Sequence, residues 1–172
     1  PATRYTIRVV KQGNLDDLKA LVARLPAASK LTLADAEDVE TAYSLYQALD
    51  DEQKADFGSD NLKKLKACYE RLPILRAVSK ATTAANKLPQ NPANLTLADK
   101  QIVADAQAAL DELTKLGAET EISAAMRKRI TDATAKISQL EVDRVGALID
   151  ALPDKVTEAD RAQQSGGCCS RG

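Results

Sequence analysis

A pattern that recurs about every 64 residues constrains the fold of this chain more than any other feature. The five residues LTLAD occupy positions 31–35 and again positions 95–99. Leu-Pro pairs lie shortly before both copies, at 25–26 and 88–89, and a third pair stands at 152–153. Self-similarity at a fixed period indicates a duplicated unit of structure. We therefore expect a stacked helical module rather than a fold built around one active site.

The Leu-Pro pairs and the segments after them carry the signals that end one helix and begin the next. The residue before a proline is driven out of the α region, so each pair is predicted to close a helix. The next helix then begins at a threonine whose oxygen caps an early backbone N–H, and an aspartate in the first turn favours the helix dipole. Such a cap contributes about 1 kcal/mol. This structural role explains the recurrence without a catalytic or metal-binding function for the aspartates. The pairs are Thr32/Asp35, Thr96/Asp99 and Thr157/Asp160.

Apolar residues recur in the same register upstream of each Leu-Pro pair. The leucine and the residues 7, 4 and 3 positions before it share one face of a helix. We call these sets the first, second and third stripe. They consist of Leu18, Leu21, Val22 and Leu25; of Ala81, Ala84, Ala85 and Leu88; and of Val145, Leu148, Ile149 and Leu152.

Composition and periodicity together predict an all-α fold. The apolar content is 44%, much of it alanine, whereas aromatic residues make up only 3% of the chain. Small side chains suit thin helical bundles, because a sheet sandwich needs β-branched and aromatic residues in short alternating runs. We predict tandem, elongated three-helix-bundle repeats of about 64 residues that are linked by long helices.

The same signals divide the chain into five parts. Residues 14–88 and 89–152 are predicted to form the first and second helical repeats, and residues 153–164 begin a third. Residues 1–13 contain the alternating run RYTIRVV, which predicts an extended lead-in or the last strand of a preceding sheet domain. Residues 165–172 are predicted to be a flexible Gly/Ser/Cys tail.

Within the repeats, the periodicity predicts long helices with one internal disturbance. Pro73 lies inside one of them, where a proline removes a hydrogen bond and clashes with the preceding turn. We predict a kink or a break there, whereas the second repeat has Ile137 near the matching position and should be straighter. A turn is expected around Gly117. The predicted helices cover 14–25, 32–49, 60–88, 97–116 and 120–152, with a short helical turn at 50–57.

Charge and hydropathy exclude two classes of partner. The chain carries 24 basic and 25 acidic residues, which are interspersed along it and give a net charge of −1. The short basic clusters at 63–66 and 127–129 lie in amphipathic patterns and are interpreted as solvated helix faces. No nucleic-acid partner is expected, because a phosphate backbone selects one-sided positive charge. No run of 18 apolar residues occurs, so no membrane insertion is expected.

The residue types that most often act in catalysis are either absent or not spaced as known catalytic and metal-binding motifs require. The chain has no histidine, no glycine-rich phosphate loop and no nucleophile elbow. Cys68 lies in a helical pattern and is interpreted as a small buried or half-buried apolar residue. Cys168 and Cys169 are adjacent in the tail, which fits a linker remnant better than a prenylation signal, and no C-x-x-C spacing supports zinc. We therefore predict that the chain is not an enzyme, and we assign no catalytic, cofactor-binding or metal-binding residue and no cofactor.

The few aromatic residues define an alternative to a purely structural role. Tyr43, Tyr46 and Tyr69 fit the spacing of a helical core, so core packing is the preferred interpretation. Aromatic rings on the surface would instead favour a binding module that engages a host protein or a glycan. Phe57 lies in the same repeat.

Two stretches resemble a known repeat family. The phrase ALIDALPDKVTEAD at 147–160, together with the run from LTLAD to NLKKL at 31–65, is similar to the helical repeats of large bacterial cell-surface proteins, including FIVAR-type three-helix modules. The second copy departs after Leu113, where TKLGAETEIS replaces the Gln-Lys stretch of the first. The first copy fits through Leu25, Pro26, Thr32, Asp35, Val39, Tyr43, Tyr46, Leu49, Gln53, Lys54, Asn61 and Leu62.

The resemblance implies a structural spacer or stalk segment of a bacterial cell-surface protein. Its implied location is extracellular, associated with a Gram-positive cell wall, and its implied partners are neighbouring domains of the same chain. The alternative is an adhesion module that binds a host protein or a glycan through a helical face. No residue is transferred as functional, because the motif of the family consists of helix caps and core positions.

Overall fold

The computed structural model describes residues 14–152, which fold into α-helices joined by short loops and 3₁₀ turns. No β-strand occurs within this range, and the predicted all-α class is confirmed. The helices are α1 (14–24), α2 (Ala36–Gln47), α3 (Asp51–Phe57), α4 (Ser59–Lys87), α5 (Lys100–Lys115) and α6 (Ala124–Asp150).

Several predictions concern segments outside the described residues. The extended lead-in or sheet strand at 1–13 is one of them. The start of a third repeat at 153–164, with Thr157 and Asp160, and the tail at 165–172 are the others.

The predicted turn at 50–57 is a complete helix with its own start and stop signals. The Asp50 Oδ1 atom accepts the Gln53 N–H at 2.9 Å, and the Gln53 Oε1 atom accepts the Asp50 N–H at 3.2 Å. This reciprocal pair satisfies two backbone donors that a helix start leaves open. Gly58 then separates α3 from α4 with φ at +87°, a conformation that favours glycine. A single residue therefore connects the two helices.

Helix α4 is the longest helix and contributes to two core clusters. Its 29 residues span about 43 Å at 1.5 Å per residue. The helix continues through Pro73, so of the predicted kink or break the break does not occur. Leu72 and Ala77 on either side of the proline are both buried. This tertiary packing offsets the roughly 3 kcal/mol that an internal proline costs a helix.

The first core cluster joins α1, α2 and α3 to the first half of α4. Its side chains are mostly leucine, and Phe57 at the end of α3 is its largest member. Tyr43 and Tyr46 of α2 are partly buried against it. Its buried residues are Leu15, Leu18, Val22, Leu25, Leu31, Val39, Ala42, Leu49, Phe57, Leu65, Cys68 and Leu72.

The second core cluster joins the second half of α4 to α5 and α6. It has two parts, which the partly buried residues Ala84, Leu110 and Met126 connect. Alanine is its commonest residue. Its buried members are Ala77, Ala81, Ala85, Leu88, Leu95, Val103, Ala106, Ala109, Leu113, Ala118, Ile122, Ile130, Ala133 and Ile137.

The three stripes differ in burial. The first stripe lies in the first core cluster and the second stripe in the second, except that Leu21 and Ala84 are only partly buried. The third stripe lies on the last turns of α6 and is exposed. Helix α5 ends as expected near Gly117, whose φ is +65°. The periodicity therefore identified a helix face in all three cases, but burial in only two.

Candidate functional site

The residues that the sequence pattern singles out lie at two junctions, where α1 connects to α2 and where α4 connects to α5. At the first junction, the Thr32 N–H and the Thr32 hydroxyl both donate to Asp35 Oδ2, at 2.9 and 2.7 Å. The Asp35 N–H donates to the Thr32 carbonyl at 3.2 Å. Sequence analysis gave the accepting role to the threonine oxygen, and the structure adds the aspartate carboxylate as the acceptor of two bonds.

The second junction repeats this geometry. The Thr96 N–H and hydroxyl donate to Asp99 Oδ2, each at 2.9 Å. The backbone also agrees, because φ and ψ are −121° and 169° at Thr32 and −122° and 170° at Thr96. Each junction begins with a 3₁₀ turn, Ala28–Lys30 in the first and Pro92–Asn94 in the second. The two junctions are therefore built in the same way.

The hydrogen bonds lower the pKa of both aspartates. For Asp35 the main cause is the bond from the Thr32 side chain, followed by the bond from the Thr32 backbone. For Asp99 the backbone bond from Thr96 comes first and its side chain second. Donors that bind the charged form of a carboxylate stabilise that form, so both groups stay ionised. Their chemistry is that of helix caps.

Two basic side chains complete the junctions, and sequence analysis missed them. The Lys64 Nζ atom donates to the Ala23 carbonyl at 3.2 Å, and the Arg129 Nη1 atom donates to the Ala85 carbonyl at 3.3 Å. Both carbonyls lie in the last turn of the helix before the Leu-Pro pair, where the helix dipole is negative. The Ala85 carbonyl also accepts the Leu88 N–H at 3.2 Å. The clusters at 63–66 and 127–129 were the available signal. Their interpretation as merely solvated faces was incomplete.

Cys68 is part of the first junction. It is buried, as predicted, and its thiol donates to the Pro26 carbonyl at 3.5 Å. Burial raises the pKa of the thiol, while Lys64 acts in the opposite direction. A thiol held in its neutral form is a poor nucleophile. Its role here is to pack and to satisfy a carbonyl.

Ion pairs connect α4 to three other segments. The Arg71 guanidinium binds both Glu121 carboxylate oxygens at 2.8 Å, which raises the pKa of Arg71 and lowers the pKa of Glu121. Arg76 pairs with a glutamate of α2 at 2.6 Å, and Lys80 pairs with Glu112 of α5 at 2.8 Å. These pairs are exposed or half-exposed, so each contributes at most about 1 kcal/mol. They connect α4 to the turn before α6, to α2 and to α5.

A groove of about 560 Å³ runs beside α4, between the start of α2 and the middle of α5. Its walls include Arg76 and Lys80, whose charges are engaged by the glutamates described above, and Asp105. Leu33 and Ala84 supply apolar surface. The groove is open and has no convergent set of polar groups of the kind that defines a small-molecule site.

The aromatic residues are divided between core and surface. Phe57 is buried, and its ring centroid lies 5.3 Å from that of Tyr46. The rings of Tyr43 and Tyr69 stack with centroids 3.8 Å apart and planes within 10°. Tyr69 is 39% exposed, so the prediction that it packs in the core is wrong. It lies at the surface against Tyr43 instead.

The described part of the chain contains neither a candidate metal site nor a candidate membrane span. Between residues 14 and 152, no three His, Cys, Asp or Glu side chains come close enough to hold a metal ion. None of the helices in this range combines the length and the apolar character that a bilayer span requires.

Among the described residues, the two junctions are the polar features that the sequence pattern predicts most clearly. Their hydrogen bonds end one helix and begin the next. Comparison with known protein families, with curated proteins and with solved structures finds no match to this chain. The resemblance to FIVAR-type modules therefore stays a prediction.

Proposed function

We propose that this chain is a non-catalytic structural spacer, built from tandem three-helix bundles that share long helices. In this proposal α1, α2 and the first half of α4 form one bundle. The second half of α4, with α5 and the first half of α6, forms the next. Modules that contact mainly their neighbours give elongated shapes, which suit a segment that holds other domains at a distance.

The observation that carries the proposal is the division of α4 between two cores. Leu65, Cys68 and Leu72 are buried in the first core cluster, whereas Ala81 and Ala85 are buried in the second. A single continuous helix therefore supplies the last helix of one cluster and the first helix of the other. A shared helix sets the distance and the orientation between the two clusters without a flexible linker.

The polar features support the same function. The φ and ψ angles of Thr32 and Thr96 at the two junctions are nearly equal, which supports an equivalent start of the helix that follows each junction. The bidentate pair between Arg71 and Glu121 crosses from the first half of α4 to the turn before α6. Such contacts resist bending between the two clusters, as a spacer requires.

Small-angle X-ray scattering of the dilute, reduced 172-residue chain tests the proposal. A compact globule of this length has a radius of gyration of roughly 16 Å. Bundles arranged end to end on helices of this length should give roughly 25 Å. A value near the smaller figure would contradict the spacer, because the two clusters would then fold back on each other.

The resemblance extends this proposal to location. We propose that the spacer belongs to a protein of a Gram-positive cell surface, because the caps and core positions of the first repeat are similar to those of cell-surface modules. An antibody against the purified chain should label intact cells of the source organism. Labelling that appears only after the cells are permeabilised would contradict a surface location and leave the structural role untouched.

One observation favours a second candidate, adhesion through a helical face. Tyr69 presents part of its ring at the surface while stacked on Tyr43, and tyrosine is enriched at protein interfaces. A Tyr69→Ala variant should then lose binding to immobilised glycans or extracellular-matrix proteins without a lower melting temperature. Loss of thermal stability with unchanged binding would assign the ring to packing alone.

A further inference from the structure

The third stripe is the set of recurring apolar residues that the described structure leaves uncovered. Its four members and the preceding Val142 are 55–66% exposed. Every other exposed large hydrophobic residue between positions 14 and 152 is less exposed than these five. A cluster of this kind on one helix marks an interaction surface rather than scattered apolar side chains.

The geometry of the end of α6 presents this stripe to solvent. Residues 142–152 are almost all exposed, so this end projects from the second core cluster as a helical arm about 16 Å long. Helical spacing places the stripe on a single face of the arm. At the base of the arm lies a groove of about 410 Å³, whose walls include Leu97, Val145 and Leu148. The arm therefore offers an apolar face and a recess beside it.

The two buried stripes show what kind of surface covers such a face. The first stripe shares a core cluster with Val39 and Ala42 of α2, and the second with Val103 and Ala106 of α5. The partner in both cases is a helix with small apolar side chains. After the third stripe, the positions in the same register carry Gln164 and Gly167. These two positions of the sequence therefore lack the apolar pair that both earlier registers carry, which favours a cover from another molecule.

We propose that two copies of this chain form an antiparallel homodimer through the third stripes of their α6 arms. Identical apolar faces are self-complementary about a two-fold axis. Antiparallel pairing places the two core regions at opposite ends of the paired arms. It also brings Leu152 at the tip of one arm to the recess at the base of the other. Burial of five apolar side chains from each copy removes on the order of 1,000 Å² from water, the lower limit for a specific interface. The dimer is therefore reversible.

Analytical ultracentrifugation of the full chain, with the cysteines reduced, tests this dimer. The mass should rise from one chain to two as the protein concentration increases from low micromolar to millimolar. The double substitution Leu148→Glu and Ile149→Glu should raise the dissociation constant at least about tenfold, because the interface would bury unpaired charges. Both residues are exposed, so circular dichroism and melting of the dilute variant should match the parent.

A matched control separates the third stripe from general surface hydrophobicity. Leu33 and Leu116 are also exposed leucines, at 42% and 40%, but they lie outside the arm. The double substitution Leu33→Glu and Leu116→Glu should leave the dissociation constant unchanged. If this control dissociates the dimer and the arm variant does not, the interface lies elsewhere and the proposal is overturned.

A parent chain that stays monomeric over the whole concentration range also overturns the proposal. The stripe would then be available to a helix from a different molecule. Titration with a synthetic peptide of residues 96–115, which cover the second junction and α5, would identify that outcome if the peptide binds the parent and not the arm variant. The dimer does not depend on the spacer function, since scattering of the dilute monomer decides that separately.

Discussion

The first and second core clusters occupy matching positions in the repeat pattern but fill them with side chains of different size. Leu18 and Val22 of the first stripe correspond to Ala81 and Ala85 of the second, and all four are fully buried. The aromatic residues of the described chain also lie in the first repeat. The repeat therefore specifies which face of a helix is buried, whereas the volume that fills the core differs between the two regions.

This difference has a consequence for packing. Protein interiors are close-packed whichever residues fill them, so a core of alanines requires helix backbones that approach more closely than a core of leucines does. A core filled by leucine side chains loses most stability when side-chain atoms are removed. A core packed closely around alanine loses most stability when side-chain atoms are added. The same position in the two regions should therefore respond to opposite substitutions.

The largest effect is expected for Leu18→Ala in the first core cluster. Leu18 is fully buried, and truncation of a buried leucine costs about 2–5 kcal/mol through lost burial and the remaining cavity. Equilibrium unfolding by denaturant measures the change in the free energy of unfolding. Leu33→Ala, at an exposed leucine, serves as the control and should cost less than about 0.5 kcal/mol. A loss below about 1 kcal/mol for Leu18→Ala would mean that the first core is loosely packed.

The opposite substitution at the matching position, Ala81→Leu, should destabilise by about 1–3 kcal/mol. Ala81 is fully buried among Ala109, Leu113 and Ile122, so the added methyl groups meet a filled space. The same denaturant measurement applies. Ala147→Leu, at an exposed alanine of α6, is the control and should be nearly neutral. If Ala81→Leu stabilises the protein, the second core contains unfilled volume and the contrast between the two regions is wrong.

Local signals made much of the fold predictable. The Leu-Pro pairs, the threonine caps and the 3.6-residue periodicity are interactions between residues close in sequence, and they located every long helix to within a few residues. The contacts that complete the junctions could not be found in this way. Lys64 and Arg129 reach carbonyls 41 and 44 residues away, and only the packing of one helix against another brings these groups together.

Two errors have a related physical cause. The propensity argument allowed a break at Pro73 as well as a kink, but the helix is continuous and has buried neighbours on both sides of the proline. Periodicity assigned Tyr69 to the core, yet it lies at the edge of the helix face and stacks on Tyr43 at the surface. A periodic pattern identifies the face of a helix, whereas the presence of a covering partner depends on the rest of the molecule.

The two junctions should respond equally, because their geometry is the same. Asp35→Ala and Asp99→Ala each remove the acceptor of two hydrogen bonds and should lower the free energy of unfolding by similar amounts. Glu37→Gln, in the first turn of α2, removes only a favourable charge and should cost less. Denaturant unfolding of the three variants makes the comparison. A large difference between the two aspartates would show that the junctions are stabilised in different ways.

The pH dependence of stability should reveal the same caps. The pKa of each aspartate is lowered from its ordinary value of 3.8 in the folded state. Their stabilisation is therefore fully present above that value, and it is lost as the pH falls through the lower folded-state pKa. The free energy of unfolding of the parent, measured from about pH 5 to about pH 2, should fall more steeply than that of an Asp35→Ala, Asp99→Ala double variant. Parallel curves would contradict the lowered pKa values.

The smallest effect is expected at the third member of the matched set, Val145→Ala. Val145 occupies the same position in the third stripe as Leu18 and Ala81 do in theirs, but it is more than half exposed. The substitution loses little burial in the monomer and gains helix propensity of at most about 0.7 kcal/mol, so the net change should lie within about 0.5 kcal/mol of zero. Measurement at low protein concentration keeps the arm unpaired. A loss of several kcal/mol would show that a partner covers the stripe even in dilute solution. The third stripe would then be a buried face of a core, as the first stripe is.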